Sequence, residues 1–443
     1  MSRSEMQTMA DPTVFSERLE SLDILRGIAV LMILFVNMPA FVAPFLFDPV
    51  PLMDGIPDRS IRLFFDLFIE NRFYPIFSFL FGAGFYIFMA RLSARGLFAG
   101  LYYVRRVAIL FVFGVLHMIL FWPGDILHTY AWLGLLLLLF VGRTPKTMFV
   151  WATVLLVLGV LQYGLSAVSL SFMWVSAVSA VQMFETANGQ AISGRFQEVL
   201  NAAIDTNDAM LPDPSRLSEA LNVYTHGSWG EWVGFHLTQE IPVIFQQEIY
   251  ALFGVFPFML FGLYAAKRGV LNQPADHRVG LMRLLVVSSI VALPLEFVIV
   301  YLSTVDSPES LARLLGLSIQ LWAILAGWTM SFLYLALYFL WGVRDTWQRR
   351  LHFLAPVGRM ALSNYFLQTV LMTLIVRLFA LYGKTPLWLG LVFVLLILPI
   401  NIVVSHVWLR SFCYGPLEYL WRIGTYGRMF PLRCKESSHT ARS

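Results

Sequence analysis

A histidine and an aspartate on either side of a tight turn are the strongest candidates for acid–base chemistry. His117 lies near the end of one apolar run, and Asp125 follows the Trp-Pro-Gly turn that leads to the next run. A carboxylate bonded to an imidazole orients the ring and raises its basicity, as a general base requires. The alternative is structural, with Asp125 capping a helix and His117 bonding a neighbouring helix. Two histidines and one aspartate near a turn are weak evidence for zinc, so we expect no metal site.

A second set of polar residues opens the first apolar run. Asp23 and Arg26 are three residues apart, close enough to pair on a helix. Arg26 and Asn37 are eleven residues apart, or about 20° in angle and about 16 Å in height, so they share one helical face. Polar groups are costly inside a bilayer and are functional candidates by default. The alternative is that Asp23 favours the helix N-terminus, Arg26 reaches lipid headgroups and Asn37 bonds another helix.

Two further apolar runs contain polar clusters. Glu70, Asn71 and Arg72 interrupt the outer part of the second run, which indicates a break or a water-filled vestibule. Arg72 requires a partner, either a nearby carboxylate or an acidic ligand. Asn364 and Gln368, four residues apart, share a face and either line a polar core or bond another helix. The candidate substrate-binding residues are Asp23, Arg26, Glu70, Arg72, Tyr130, Arg359, Asn364 and Gln368.

The composition predicts that membrane-spanning helices position these residues. Of the 443 residues, 58% are hydrophobic and only 13% are charged, and the mean hydropathy is +0.71. A soluble domain is nearer one quarter charged. The apolar runs are continuous rather than alternating, which excludes a β-barrel. Basic residues are scattered between the runs, as is typical of residues that determine membrane topology. The net charge of +4 is therefore not a sign of nucleic-acid binding. We therefore predict an all-α, polytopic transmembrane helix bundle whose partner is the lipid bilayer.

Ten apolar runs are candidate spans, for which about 20 residues are needed. With a cytosolic N-terminus, 23 of the 31 Lys and Arg residues fall in cytosolic segments and 7 in external ones. The positive-inside rule therefore predicts that both termini are cytosolic. The predicted spans are 25–47, 63–90, 105–121, 126–141, 148–170, 243–266, 284–303, 314–341, 358–381 and 387–409.

An acidic segment between the fifth and sixth spans is predicted to form a small helical cap outside the membrane. Within it, Ser193 is expected to cap a helix to about Ile204, and Ser215 a second short helix. A simple connector is the alternative. The segment divides the spans into two inverted halves of five, an arrangement found in many transporters. The predicted units are a cytosolic tail 1–24, a first half 25–170, the cap 171–242, a second half 243–409 and a cytosolic amphipathic tail 410–443.

Several motifs together resemble the YeiB-like family of bacterial inner-membrane proteins. They occur in order over nearly the whole chain. The family is a domain-of-unknown-function family, so the resemblance implies a bacterial cytoplasmic-membrane location and no particular chemistry. The motifs are Ser21 to Gly27 with Asn37, Phe77 to Gly82, Gly124 to Ala131, Gly358 to Tyr365, Trp408 to Arg410, Gly415 to Glu418, and Trp421-Arg422.

The first span also resembles, more distantly, that of the transmembrane acyltransferase superfamily. In its type-three acyltransferases an arginine is followed, after ten residues, by a histidine held to be catalytic. Arg26 matches this arginine, but Asn37 occupies the histidine position, and asparagine cannot act as a general base. The heparan-glucosaminide branch is similar to this chain in having asparagine near that position. The resemblance thus implies either acyl transfer with another residue, His117, as the base, or a different activity on a related scaffold.

Two functions therefore stand as hypotheses. In the first, an integral membrane acyltransferase moves an acyl group from a cytosolic thioester, held near Arg26, to an external acceptor. His117 and Asp125 deprotonate the acceptor, Asn37 stabilises the oxyanion, and acyl-CoA is a co-substrate with no bound cofactor. In the second, the same residues line a transporter or channel for a small molecule or lipid. A scaffold or sensor without turnover is a third possibility. The sequence does not decide whether the substrate is a small molecule, a lipid or a glycan, or whether the protein is a homodimer.

Overall fold

The computed structural model describes residues 19–44, 56–186, 214–304 and 309–433. Within these ranges the regular structure is helical, apart from an isolated antiparallel bridge between Phe412 and Arg433. Nine helical segments of the described chain are long and apolar enough to cross a membrane, and a shorter apolar helix covers Leu127–Phe140. The prediction of an all-α polytopic bundle is confirmed.

The helices of the first half begin near the N-terminus and end in the segment predicted to form the cap. A 3₁₀ turn, Leu137–Phe140, extends the fifth of them. They are α1 (Glu20–Val42), α2 (Ile56–Phe68), α3 (Phe73–Ala94), α4 (Ala99–Leu120), α5 (Leu127–Leu136) and α6 (Pro145–Thr186).

The helices of the second half begin with two short ones in the predicted cap segment. A π-helical turn, His236–Glu240, joins the second of these to the next helix, and another, Tyr338–Gly342, extends α12. They are α7 (Pro214–His226), α8 (Trp229–Phe235), α9 (Ile241–Gly254), α10 (Phe256–Lys267), α11 (Arg278–Thr304), α12 (Glu309–Leu337), α13 (Asp345–Leu351), α14 (Ala355–Arg359), α15 (Ala361–Leu378), α16 (Leu387–Ser411) and α17 (Pro416–Tyr426).

The second predicted span is divided into two helices, α2 and α3. The polar residues between them adopt turns, and Asn71 has a left-handed backbone with φ of 61°. Asparagine tolerates this conformation better than most residues do. The turn packs tightly on α12, where a Cβ atom on Gly327 would lie 2.5 Å from the Cβ of Asn71. The break that the polar residues indicate is therefore present.

Two other spans differ from their predicted bounds. α4 begins at Ala99, six residues before the predicted start at residue 105, and so is a full-length membrane helix of 22 residues. α6 continues without interruption to Thr186, past the predicted end at residue 170. The first part of the predicted cap segment is therefore a continuation of the fifth spanning helix.

The described part of the predicted cap packs on the bundle through aromatic side chains. The Tyr224 ring on α7 stacks on Tyr382, with centroids 4.1 Å apart, and Trp232 on α8 is buried beside it. These contacts favour a packed cap over a loose connector. The other predicted cap helix, Ser193 to Ile204, lies outside the described residues, and the division into domains stays a prediction.

Glycine permits close packing of the two helices at the centre of the bundle. A Cβ atom on Gly82 of α3 would lie 1.8 Å from the Met259 carbonyl oxygen, and one on Gly262 of α10 would lie 1.8 Å from the Phe79 carbonyl oxygen. Small residues allow helix backbones in membranes to approach this closely. By contrast, Gly84 has no atom within 4 Å of its Cβ position, and it faces the cavity described below.

The outer helices turn large apolar side chains away from the protein. On α6, α11 and α16 respectively, Val157 is 51% exposed, Ile290 67% and Leu396 60%. Continuous apolar surfaces of this kind are rare on soluble monomers and mark contact with a membrane. The bilayer is therefore the partner of this face.

Candidate functional site

A cavity of about 300 Å³ enters the bundle between α1, α3, α4, α5, α14, α15 and α17. One end of it is strongly basic. The charged side chains on its wall all belong to helix ends on the side predicted to be cytosolic, and six are arginines against two acids. They are Arg26, Arg91, Arg95, Arg106, Arg359, Arg422, Asp23 and Glu418. This excess of positive charge favours an anionic ligand group.

Aromatic and carboxylate partners hold two of these arginines in place. The Arg106 guanidinium lies 3.6 Å from the centroid of the Trp421 ring, whose Nε1 donates to the Arg106 carbonyl oxygen at 2.7 Å. Arg26 Nη1 donates to Asp23 Oδ1 at 2.8 Å, as their spacing predicts. These contacts preorganise part of the basic wall, because a stacked and bonded guanidinium loses little freedom on binding a ligand.

A half-buried carboxylate ties the C-terminal helix to the start of α15 at the same end. Glu418 accepts hydrogen bonds from the Leu362 and Ser363 backbone N–H groups at 2.8 and 3.1 Å, and from Ser363 Oγ at 2.5 Å. Burial raises the pKa of the Glu418 carboxyl. The amphipathic C-terminal segment is therefore part of the cavity wall.

The other end of the cavity is apolar and aromatic. Ile33, Phe77 and Leu110 line it together with Tyr130. The Tyr130 hydroxyl lies 2.9 Å from Ser78 Oγ and donates to the Tyr74 carbonyl oxygen at 3.0 Å, so its polar group is satisfied within the wall. An apolar interior below a basic rim suits a ligand with an anionic head and an apolar chain.

A cluster of ionisable side chains lies directly beyond this apolar end. The Tyr365 side chain lines the cavity, and its hydroxyl lies 3.4 Å from Asp125 Oδ1. His117 Nδ1 lies 3.0 Å from the same oxygen, and His117 Nε2 lies 3.0 Å from Thr369 Oγ1. His117 is fully buried, and Tyr365 separates its ring from the cavity, with ring centroids 5.0 Å apart. The turn therefore brings His117 and Asp125 together.

The sequence around Asp125 explains why it lies here. Asp125 Oδ2 accepts hydrogen bonds from the backbone N–H groups of Leu127 and His128, at 2.8 and 3.1 Å, at the start of α5. The predicted capping role of Asp125 is therefore also present, because the same carboxylate lies beside His117 and caps the start of α5. Gly114 of α4 allows the approach, since a Cβ atom there would lie 2.8 Å from Asp125 Oδ2.

Asp125 also joins a second histidine, which extends the cluster to the edge of the bundle. His128 Nδ1 lies 3.2 Å from Asp125 Oδ2, and His128 Nε2 lies 2.6 Å from Glu248 Oε1 on α9. Thr129 Oγ1 and Trp132 Nε1 donate to the Glu248 oxygens at 2.7 and 2.6 Å. The sequence motifs single out neither Glu248 nor a role for His128, although a lone carboxylate in a predicted span is itself a signal.

The polar residues that break the second span lie elsewhere. Buried Arg72 pairs with Glu296 of α11 and donates to the Glu70 carbonyl oxygen, while Ser331 Oγ donates to the Arg72 carbonyl oxygen at 2.8 Å. The Glu70 carboxylate instead accepts from Arg62 Nη2 at 2.5 Å. Both residues are outside the cavity wall, where they join helices.

Three of the other candidate residues also lie outside the cavity wall. Asn364 Nδ2 donates to the Val357 carbonyl oxygen at 3.1 Å and to Ser405 Oγ at 2.8 Å. Gln368 Nε2 donates to the Val30 carbonyl oxygen of α1 at 3.1 Å. Asn37 is half-buried, one helical turn beyond Ile33, the last cavity-lining residue of α1. Of the predicted substrate-binding residues, Asp23, Arg26, Tyr130 and Arg359 line the cavity.

The fold and this site define a multi-pass helical membrane protein with a basic cavity that ends at a buried His–Asp–Glu cluster. Comparison of sequences gives the family. The family described as "Protein of unknown function (DUF418)" matches residues 265–428. The chain belongs to this family, and the YeiB-like assignment made from its motifs is confirmed.

Relatives match over almost their whole length. The uncharacterized protein YxaH of Bacillus subtilis (strain 168) is 30% identical over 442 residues, covering 96% of this chain and 98% of its own. An uncharacterized 39.9 kDa protein in the amylase 3' region of Bacillus acidopullulyticus is 30% identical, covering 97% and 99%. The uncharacterized protein YeiB of Escherichia coli (strain K12) is 27% identical, covering 92% and 96%. No solved structure matches the chain.

Proposed function

We propose that the protein is an integral membrane acyltransferase that takes its acyl group from an acyl thioester on the cytosolic side. The observation that supports this is the two-part cavity, which has arginines at one end and apolar and aromatic side chains at the other. Acyl-CoA has the matching form, with phosphates at one end and an acyl chain at the other. Guanidinium groups bind phosphate through paired hydrogen bonds.

The orientation follows from the charges. The basic end of the cavity is formed by helix ends on the side that carries 23 of the 31 Lys and Arg residues. Under the positive-inside rule this side faces the cytosol of a bacterial inner membrane. The acyl-CoA pool is cytosolic, so the donor would bind from the side on which the arginines lie.

The buried cluster supplies the acid–base chemistry in this proposal. His117 Nε2 takes the proton from an acceptor hydroxyl or amine, the acceptor attacks the thioester carbonyl, and the carbon–sulfur bond breaks. The proton then passes to the leaving thiolate. His117 Nδ1 lies 3.0 Å from Asp125 Oδ1 without a hydrogen bond, and in the proposal a small turn of the ring forms this bond and fixes the ring for catalysis. Because Tyr365 separates His117 from the cavity, its side chain must move when both substrates are bound.

Asn37 has a supporting role in this proposal. It extends the cavity-lining stripe Arg26, Val30 and Ile33 by one turn, with spacings of four, three and four residues. Its amide is a hydrogen-bond donor that cannot take up a proton. It would therefore stabilise the oxyanion of the tetrahedral intermediate and leave proton transfer to His117.

The test is acyl-CoA binding by the purified protein in lipid nanodiscs. We expect saturable binding of acetyl-CoA and longer acyl-CoAs, and slow release of free CoA with water as acceptor. Arg359→Gln removes one charge from the cavity wall and should weaken binding about 10- to 100-fold, the value of a charge-assisted hydrogen bond. Arg349→Gln is the matched control, because Arg349 is an exposed arginine on the same predicted side. Equal effects of the two variants, or no saturable binding, would refute the proposal.

A transporter is the second candidate, and one observation favours it. Buried chains of histidine and carboxylate side chains are typical of proton-coupled pumps and transporters, and the cluster around Asp125 is such a chain. Counterflow of a solute in proteoliposomes, without any acyl-CoA binding, would support this function instead.

A further inference from the structure

We propose that Glu248, His128, Asp125 and His117 form a proton relay between the buried core of the bundle and its outer face. The four side chains come from α9, α5, the turn before α5 and α4. Consecutive members lie 2.6, 3.2 and 3.0 Å apart. The first two contacts are hydrogen bonds, whereas His117 Nδ1 lies beside Asp125 Oδ1 without one, so the His117 ring must turn toward the carboxylate before a proton passes. The relay extends beyond the His117–Asp125 pair. It carries a proton to the outer face in transport, whereas in acyl transfer the proton taken up by His117 returns to the thiolate.

Glu248 is the ionised outer end of this relay. Its two oxygens face three donors: His128 Nε2, Thr129 Oγ1 and Trp132 Nε1. The Thr129 and Trp132 donors favour the ionised form of the carboxylate, which the relay requires at rest. Its side chain is 14% exposed, whereas those of His128 and Asp125 are fully buried. Protons can therefore exchange with the surroundings at Glu248.

The position of Glu248 along the chain places it near the outer boundary of the membrane. It lies nineteen residues before Lys267, the last residue of α10. At 1.5 Å per residue this is about 28 Å, close to the thickness of the hydrocarbon layer. Lys267 is on the predicted cytosolic side, so Glu248 is at the opposite boundary.

His128 is the residue that makes the cluster a relay. Both of its ring nitrogens face carboxylate oxygens, Asp125 Oδ2 at one side and Glu248 Oε1 at the other. In the relay each nitrogen carries a proton at rest, which makes His128 an imidazolium between two anions. Asp125 also faces His117 and the Tyr365 hydroxyl, so these groups and Glu248 are the ionisable partners of the pair.

One proton can enter at His117 and another leave at Glu248 without a change in net charge. A proton released by the bound substrate is taken up at His117 Nε2, and the Nδ1 proton moves to Asp125. His128 then gives its Nε2 proton to Glu248, which passes it to water. His117, Asp125 and His128 end neutral and Glu248 anionic, so the cluster has the same charge of −1 before and after. This avoids the cost of an added charge in the membrane.

The histidine ring nitrogens give a direct test by ¹⁵N NMR of the protein in nanodiscs, with His128→Gln used for assignment. We expect imidazolium signals for His128 at neutral pH. Glu248→Gln should convert His128 to a neutral tautomer and also shift the His117 signals, because the two rings share Asp125. Glu296→Gln is the control, since that carboxylate pairs with Arg72 away from the cluster.

Two results would overturn the relay, and both are independent of acyl-CoA binding. One is a neutral His128 in the unmodified protein. The other is a change at His128 in Glu248→Gln while the His117 signals stay fixed, which indicates a structural contact only. Should Glu248→Gln fail to fold, Trp132→Phe removes one donor from Glu248 and keeps the charge. Trp132→Phe should shift the ¹⁵N signals of both histidines in the same direction as Glu248→Gln, but by a smaller amount. Unchanged His117 signals in Trp132→Phe would also contradict the relay.

Discussion

A single carboxylate determines the chemistry that this site can perform. Asp125 contacts both histidines, receives two backbone N–H groups at the start of α5 and faces the Tyr365 hydroxyl. A change of its charge is therefore expected to affect both histidines. It also alters the cap of α5, so its roles in structure and in chemistry cannot be separated by deletion alone.

We expect His117→Gln to abolish acyl-CoA hydrolysis and leave binding unchanged. Glutamine keeps a hydrogen bond to Thr369 but cannot accept the proton, and loss of a general base typically costs about 10²- to 10⁴-fold in rate. CoA release and acyl-CoA affinity are measured on the same preparation. His406→Gln is the control, because the His406 ring bonds only the Ile402 carbonyl oxygen of its own helix among the described contacts. Full hydrolysis by His117→Gln would exclude His117 as the base.

Asp125→Asn is expected to lower stability as well as activity. Removing one partner of a buried ion pair costs about 3–5 kcal/mol, because the remaining charge is left uncompensated. The midpoint of thermal unfolding in detergent should fall clearly. Asp345→Asn, at the exposed start of α13, should leave it within error of the parent protein. A midpoint unchanged by Asp125→Asn would show that the histidines are neutral and need no counter-charge.

The sequence predicts the His117–Asp125 pair, but it does not predict Glu248 or the arginine wall of the cavity. His117 and Asp125 were found because a tight turn brings neighbouring helix ends together. Glu248 is 120 residues from His128 in the chain, so only the fold shows that they touch. The basic wall was missed for a different reason, because arginines such as Arg91 and Arg106 lie next to apolar runs and are typical topology determinants.

Close approach of α4 and α5 is what places the cluster at the end of the cavity. Gly114 is the contact point, since a Cβ atom there would lie 2.3 Å from the His128 backbone nitrogen. Neither the α4 backbone nor the α5 backbone can shift to make room for a side chain without moving Asp125.

We therefore expect Gly114→Ala to destabilise the protein by about 1–3 kcal/mol, the usual cost of overpacking, and to abolish acyl-CoA hydrolysis. Gly100→Ala is the matched control on the same helix, because no atom lies within 4 Å of its Cβ position. Thermal unfolding and CoA release report the two effects. If Gly114→Ala kept full activity, a fixed α4–α5 approach would not be needed for catalysis.

The spanning helices themselves were predictable from the sequence, because a run of about 20 apolar residues has few other stable arrangements in a bilayer. Their ends were less predictable. α4 begins six residues early because Tyr103 is buried within the bundle, although the two arginines that follow it look like a loop. The tight glycine contacts of α3 and α10 depend on which helices are neighbours, and hydropathy does not contain that information.

For the molecule as a whole, a cytosolic acyl donor requires the arginine-lined end of the cavity to face the cytosol. We expect a cytosolic reporter fused at the C-terminus to be active and a periplasmic reporter there to be inactive. The reverse should hold for reporters fused within the segment after α6. Substitution of cytosolic-side arginines should weaken this orientation, as the positive-inside rule requires. A periplasmic C-terminus would place the basic cavity on the wrong side for a cytosolic donor.

Photoaffinity labelling with an acyl-CoA that carries a diazirine at the end of its chain tests the central claim most directly. We expect labelled peptides from the apolar end of the cavity, around Ile33, Phe77 and Leu110, and loss of the label in excess unlabelled CoA thioester. Labelling confined to the lipid-facing surface of α11, unaffected by competitor, would contradict a donor site inside the bundle.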